Sequence, residues 1–121
     1  MITHLKFMGI PVKDQGRALK FYTEKLGFKV ATNQEMEPRK RWIELRIGNA
    51  QSRLVLFTMN GEEGRIGTRM NCTIACDDLD ATYRQLSERG VEFEGPPQKQ
   101  LWGSFVIMKD SEGNQFVLGS D

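Results

Sequence analysis

The strongest constraint on this chain is an internal repeat. Residues 12–30, VKDQGRALKFYTEKLGFKV, carry a helix-start signal at Asp14 and a helix-stop glycine at Gly27. Between them Ala18, Leu19, Tyr22 and Leu26 recur at spacings of three and four, the apolar stripe of a helix lying on a sheet. Phe28 and Val30 then alternate with Lys29, which is strand period. Residues 76–93, CDDLDATYRQLSERGVEF, repeat the plan with Asp77 or Asp78 as cap, Leu79, Tyr83 and Leu86 as stripe, and Gly90 as stop. Ala18 to Gly27 and Ala81 to Gly90 both span nine residues, at an offset of 63. Downstream, WIELRIGNAQSRLVLF (42–57) and SFVIMKDSEGNQFVLG (104–119) each read strand, polar turn, strand.

A repeat this long decides the fold class before any local detail does. It predicts an α+β chain of two βαβββ modules, with helices near 15–26 and 78–89 and about eight strands. The modules are expected at about 1–60 and 69–121, joined by a linker over 61–68, as one domain covering 1–121. At 121 residues the chain can bury roughly two thirds of its unfolded surface.

Charge and hydropathy exclude several partners. Net charge is +1 and the basic residues are interleaved with acids, so no basic face for nucleic acid is announced. No apolar run approaches membrane-spanning length, and MITHLKF lacks a signal-peptide core, so a soluble cytoplasmic protein is expected. Cys72 and Cys76 lie four apart in a strand, NCTIACDD, on one face with Ile74. Residues at that separation are too distant for a disulfide, so both read as small buried hydrophobes.

In chain order, residues 4–12 are expected as the first strand. A second strand begins at 28–32, followed by a polar excursion at 33–40, a surface loop or strand edge. Residues 41–47 and 53–59 are expected as a hairpin, and GPPQKQLWG (95–103) as the polar excursion of the second half. Gly61, Gly64 and Gly67 have the wrong spacing for a phosphate loop and no Lys-Ser/Thr or helix start follows, so they read as linker.

AxxFYxxxLGF (Ala18, Phe21, Tyr22, Leu26, Gly27, Phe28) and DSEGNQFVL (Asp110, Gly113, Asn114, Phe116, Leu118), in order within a repeated frame, resemble the vicinal oxygen chelate superfamily. That superfamily includes glyoxalase I, bleomycin-resistance proteins, extradiol dioxygenases, methylmalonyl-CoA epimerase and fosfomycin-resistance enzymes. Ser111 and Glu112 replace the Pro and Asp of its D-P-D-G-N-x-F-x-L ending. The resemblance implies curved sheets related by pseudo-two-fold symmetry around a cup, with helices outside, and usually a two-fold homodimer.

The family's metalloenzymes place one His, Gln or Glu ligand on each of four strands. By the resemblance, those positions fall here on Phe7, Leu56, Asn71 and Val117, and their neighbours in sequence are no better donors. Alkyl and phenyl groups cannot serve a divalent ion, so no metal and no cofactor is expected. His4, the one histidine, is expected as an ordinary surface or edge residue. Glu44, between Ile43 and Leu45, shares a face with Trp42 and Arg46. It reads either as half of a cross-strand pair with an arginine or as a polar anchor in the cup, the one weak catalytic candidate.

The cup is then expected to be apolar and aromatic. Phe7, Leu56 and Val117 are joined by Trp42 and Trp102, with Asn71 and Thr73 as hydrogen-bonding groups and Arg41 and Arg69 as charges at the rim. Such a pocket describes a small-molecule site, and equally a cup filled by its own side chains. The functional expectation is a metal-independent binder of a small aromatic or amphipathic molecule. The alternatives are a lyase, isomerase or dioxygenase with an atypical site, or a vestigial interaction module.

Overall fold

A computed structural model describes residues 1–58 and 60–121. The chain divides into two compact units, residues 1–66 and 67–121, and each builds a four-stranded mixed sheet.

In the first unit β1 (Phe7–Pro11) leads into α1 (Gln15–Lys20), followed by β2 (Lys29–Glu37), β3 (Lys40–Arg46) and β4 (Arg53–Phe57). The sheet order is β1-β4-β3-β2, with β1 parallel to β4 and the other pairs antiparallel. A helix needs somewhere to start, and the Asp14 side chain accepts the Arg17 N–H there. The helix does not end at Lys20. Phe21–Lys25 continue it with wider, π-helical turns, and Gly27 follows at φ 78°.

The second unit repeats the order with β5 (Arg69–Ala75), α2 (Leu79–Glu88), β6 (Glu92–Gln100), β7 (Gly103–Lys109) and β8 (Gln115–Ser120). Its sheet order is β5-β8-β7-β6, again with the first and last strands parallel. Asp78 caps α2 by accepting the Ala81 N–H.

Register assigns each side chain to one of two faces, because paired residues point the same way and neighbours alternate. In the first sheet Ile10, Ile43, Leu45, Leu54 and Leu56 share the face that α1 covers with Ala18 and Tyr22, and all seven are buried. In the second sheet Val106, Met108, Phe116 and Leu118 do the same beneath α2, where the Tyr83 and Phe93 rings lie 4.8 Å apart. Burying an aliphatic side chain of this size is worth about 1.5–3 kcal/mol, so each of these faces stabilises its own unit.

Two polar anchors complete the units. The buried Gln15 amide donates to the carbonyls of Arg41 (2.7 Å) and Leu56 (2.9 Å) and accepts the Arg41 N–H, which fixes α1 to β3 and β4. In the second unit Asp110 accepts the N–H groups of Glu112 and Asn114. The fully buried Asn114 amide donates to Asp110 and accepts the Gly67 N–H at 2.8 Å. The DSEGN segment is therefore a hydrogen-bonded turn that ties the start of β5 to β8.

Several expected boundaries move. The excursion at 33–40 is the outer half of β2 and the start of β3. Residues 95–103 are largely the far part of β6, where Pro96 and Pro97 are tolerated because β6 is an edge strand. The first strand begins at Phe7, not residue 4, and the expected 53–59 strand is β4. Its last expected residue, Met59, lies outside the described residues. No helix among the described residues is long and apolar enough to cross a membrane.

Candidate functional site

On the open face of the first sheet stand Phe7, Gly9, Trp42, Glu44, Arg46, Arg53, Val55 and Phe57, the set that alternation directs away from α1. Gly9 leaves room for the Phe57 ring, since a Cβ there would lie 2.6 Å from it. Strand β4 separates β1 from β3, so the Phe7 and Trp42 rings meet across it, edge to face at 5.5 Å, beside the buried Val55. Next to this aromatic pair, Glu44 and Arg53 form a cross-strand ion pair at 3.7 Å. A concavity of about 360 Å³ is lined by His4, Lys6, Phe7, Trp42, Glu44, Gln51 and Arg53.

The structure thus brings three of the sequence-selected residues together, Phe7, Trp42 and Glu44. Two others stand elsewhere. Leu56 pairs with Ile10 and Ile43, on the face covered by α1, so the placement beside Phe7 is corrected by one residue. Its neighbours Val55 and Phe57 hold the open-face positions. Arg41, one residue before Trp42, also turns to the helix side. Its guanidinium donates to the Asn33 side chain and backbone carbonyl, which removes it from the rim.

Asn71, Thr73, Val117 and Arg69 share the open face of the second sheet. Asn71 and Thr73 are exposed and Val117 half-buried. Arg69 donates to Gln115 at 3.1 Å and pairs with Glu94 at 3.7 Å. Trp102 lies in the β6–β7 turn, 68% exposed, stacked on Phe105 at 5.8 Å. The repeat offset of 63 makes Phe105, not Trp102, the counterpart of Trp42, and the same arithmetic could have identified it from sequence. His4, expected as an ordinary surface or edge residue, lines the concavity, as do Lys6, Gln51 and Arg53, which no sequence signal singles out. They lie at or beyond strand ends, where periodicity carries no signal.

The donor set does not fit a divalent metal. The open-face residues at the implied ligand positions are Phe7, Val55 or Phe57, Asn71 and Val117, which supply one amide among apolar groups. Glu44 is engaged by Arg53, and among the described residues no three His, Cys, Asp or Glu side chains cluster as a metal site would require. The cysteines are both free thiols. Burial pushes the Cys72 thiol above its ordinary value. It does the same to Cys76, opposed by a hydrogen bond with Thr82 and reinforced by Asp77 and Asp78. Neither is a ready thiolate.

Comparison with known proteins adds to this geometry. The family model described as Glyoxalase/Bleomycin resistance protein/Dioxygenase superfamily matches residues 2–118. YetH of Bacillus subtilis strain 168, an uncharacterized protein, is 36% identical over 118 residues, covering 98% of each chain. TnmS3, an antibiotic binding protein from Streptomyces sp. CB03234, superposes with a TM-score of 0.87 at 31% identity, over 98% of this chain and 96% of that one. A superfamily member from Sphaerobacter thermophilus DSM 20745 superposes with a TM-score of 0.90 at 32% identity, over 99% and 98%.

Proposed function

The chain belongs to the glyoxalase/bleomycin resistance protein/dioxygenase superfamily, and on that premise we propose that it is a metal-independent binder of a small aromatic or amphipathic molecule. The observation that carries this reading is the Phe7–Trp42 pair walling a concavity of about 360 Å³. That volume falls within the range of about 300–1,000 Å³ common for small-molecule sites. A planar ring laid against this pair gains about 0.5–1.5 kcal/mol per aromatic contact beyond area burial. Gln51 and the Glu44–Arg53 pair supply polar groups that orient it. The likeness to an antibiotic binding protein supports binding over chemistry. The unsuitable donor set argues against the metal-dependent branch.

Asn71, Thr73 and Val117 make the open face of the second sheet a further candidate surface in this reading. We also infer a homodimer, because β2 and β6 end their sheets as edge strands and such edges are usually covered. Light scattering at tens of micromolar reads this, and a monomeric mass refutes it. For binding, a panel of aromatic antibiotics and metabolites is titrated against tryptophan fluorescence, followed by Phe7→Ala and Trp42→Ala. Both variants should lose binding while keeping the fold. Unchanged affinity in both would refute this site.

A further inference from the structure

The open face of the first sheet carries a row of like charges that its fold does not require. Lys29 is register-paired with Arg46, Arg46 with Arg53, and Arg53 with Phe7, so three cations stand side by side across β2, β3 and β4 and end at the aromatic pair. Like charges directly opposite one another destabilise a sheet. Only Arg53 has an acidic partner, Glu44, while Lys29 and Arg46 are exposed and form no ion pair among the described residues. Lys6 adds another positive charge to the concavity. The corresponding row of the second sheet reads Glu92, Lys109, Gln115, Arg69, with Arg69 answered by Glu94. The second copy of the same architecture therefore balances this row, and the first leaves it cationic.

Resting on the binding reading above, we propose that the ligand of the first sheet is an aromatic molecule bearing an anionic group, a carboxylate or its equivalent. The ring lies against Phe7 and Trp42, and the anion meets the Arg53–Arg46–Lys29 row. Guanidinium groups suit this work, since their fork matches a carboxylate with two parallel N–H donors. The cation row also draws an anion toward the site before contact, an effect that salt suppresses.

The test is calorimetric titration of the full chain with 2-naphthoate, 2-naphthamide and 2-naphthylmethylamine, probes that share a ring and differ in charge. The carboxylate should bind about tenfold tighter than the amide at low salt, as expected for one charge-assisted contact, and lose most of that advantage in high salt. Arg46→Glu should remove the advantage of the carboxylate over the amide, and an advantage of the parent's size in this variant would overturn the assignment of the anion to this row. Equal affinity for carboxylate and amide, or preference for the amine, overturns the anionic assignment and leaves the binding reading standing. Failure of all three probes to bind overturns both.

Discussion

On the helix-covered side, Ile43, Leu45, Leu54 and Leu56 of the first sheet are answered by Val106, Met108, Phe116 and Leu118 of the second. On the open side, Trp42, Glu44 and Arg46 are answered by Phe105, Ile107 and Lys109. The covered faces keep the same chemistry because each must fill the space beneath a helix, where a lost methylene is felt. The open faces have no such duty. The row ending at the aromatic pair is cationic on the first sheet, and its counterpart on the second, Glu92, Lys109, Gln115 and Arg69, is charge-balanced. Repetition marks what folding needs, and divergence between the copies marks where a ligand would be read.

Truncations on the covered faces give the largest expected effect. Leu56→Ala and Leu118→Ala should each cost about 3 kcal/mol by chemical denaturation, while Asn71→Ala, exposed on the open face, should cost under about 0.5 kcal/mol. A neutral Leu56→Ala would return Leu56 to the open face and undo the register argument.

The polar anchors come next. Asn114→Ala leaves the Gly67 N–H and the Asp110 carboxyl without their amide partner and should cost about 3 kcal/mol. Gln15→Ala strips three backbone contacts and should cost about 2 kcal/mol. Loss of stability in both would show that the copies lock their sheets by unrelated means. No change in either would reduce both anchors to ornaments of packing.

Both cysteines sit in the second unit, so their titration reports on that unit alone. Their folded pKa values are raised, so their contribution to stability is fully present below the ordinary thiol value of about 8.5 and fades as pH climbs through the raised values. Urea midpoints measured from pH 8 to 10 should therefore fall, and less so in Cys72→Ala. A fall of equal size in that variant would trace the loss to other groups.

The smallest effect is the most direct test of the contrast between open faces. Arg46→Glu should stabilise the ligand-free protein by about 0.3 kcal/mol by relieving the cation row. Lys109→Glu, its counterpart, should destabilise by a similar amount by facing Glu92. Shifts of the same sign in thermal melts would mean that the two rows do not differ electrostatically.

The fold was legible because both of its periods are long-range signals. The stripe at spacings of three and four, the strand alternation and the 63-residue offset each recur and check one another. Site membership rests on parity alone, where one residue of error moves a side chain through the sheet, as happened to Leu56 and Arg41. The open-face position of Trp42 is legible because it lies mid-strand with its neighbours alternating. Trp102 lies in a turn, which breaks alternation, and Arg53 and Lys6 carry no signal because charge at a strand end resembles ordinary surface.

From Asp14 to Gly27 is thirteen residues, and from Asp78 to Gly90 twelve. In a regular α-helix one additional residue would rotate everything beyond it by about 100°, given 3.6 residues per turn. Paired on their caps, Gln15 and Tyr22 match Leu79 and Leu86, all four buried, so the Ala18–Ala81 pairing shifts by one. The additional residue falls between Tyr22 and Gly27, where the π-helical segment Phe21–Lys25 takes it up; past Gly27 the offset is again 63. The strands beyond the two glycines pair alike, Lys29 with Arg46 and Glu92 with Lys109, although the helices before them differ by one residue. The helix, more than any loop, is where a duplicated half-chain of this kind can change length and keep its sheet in phase.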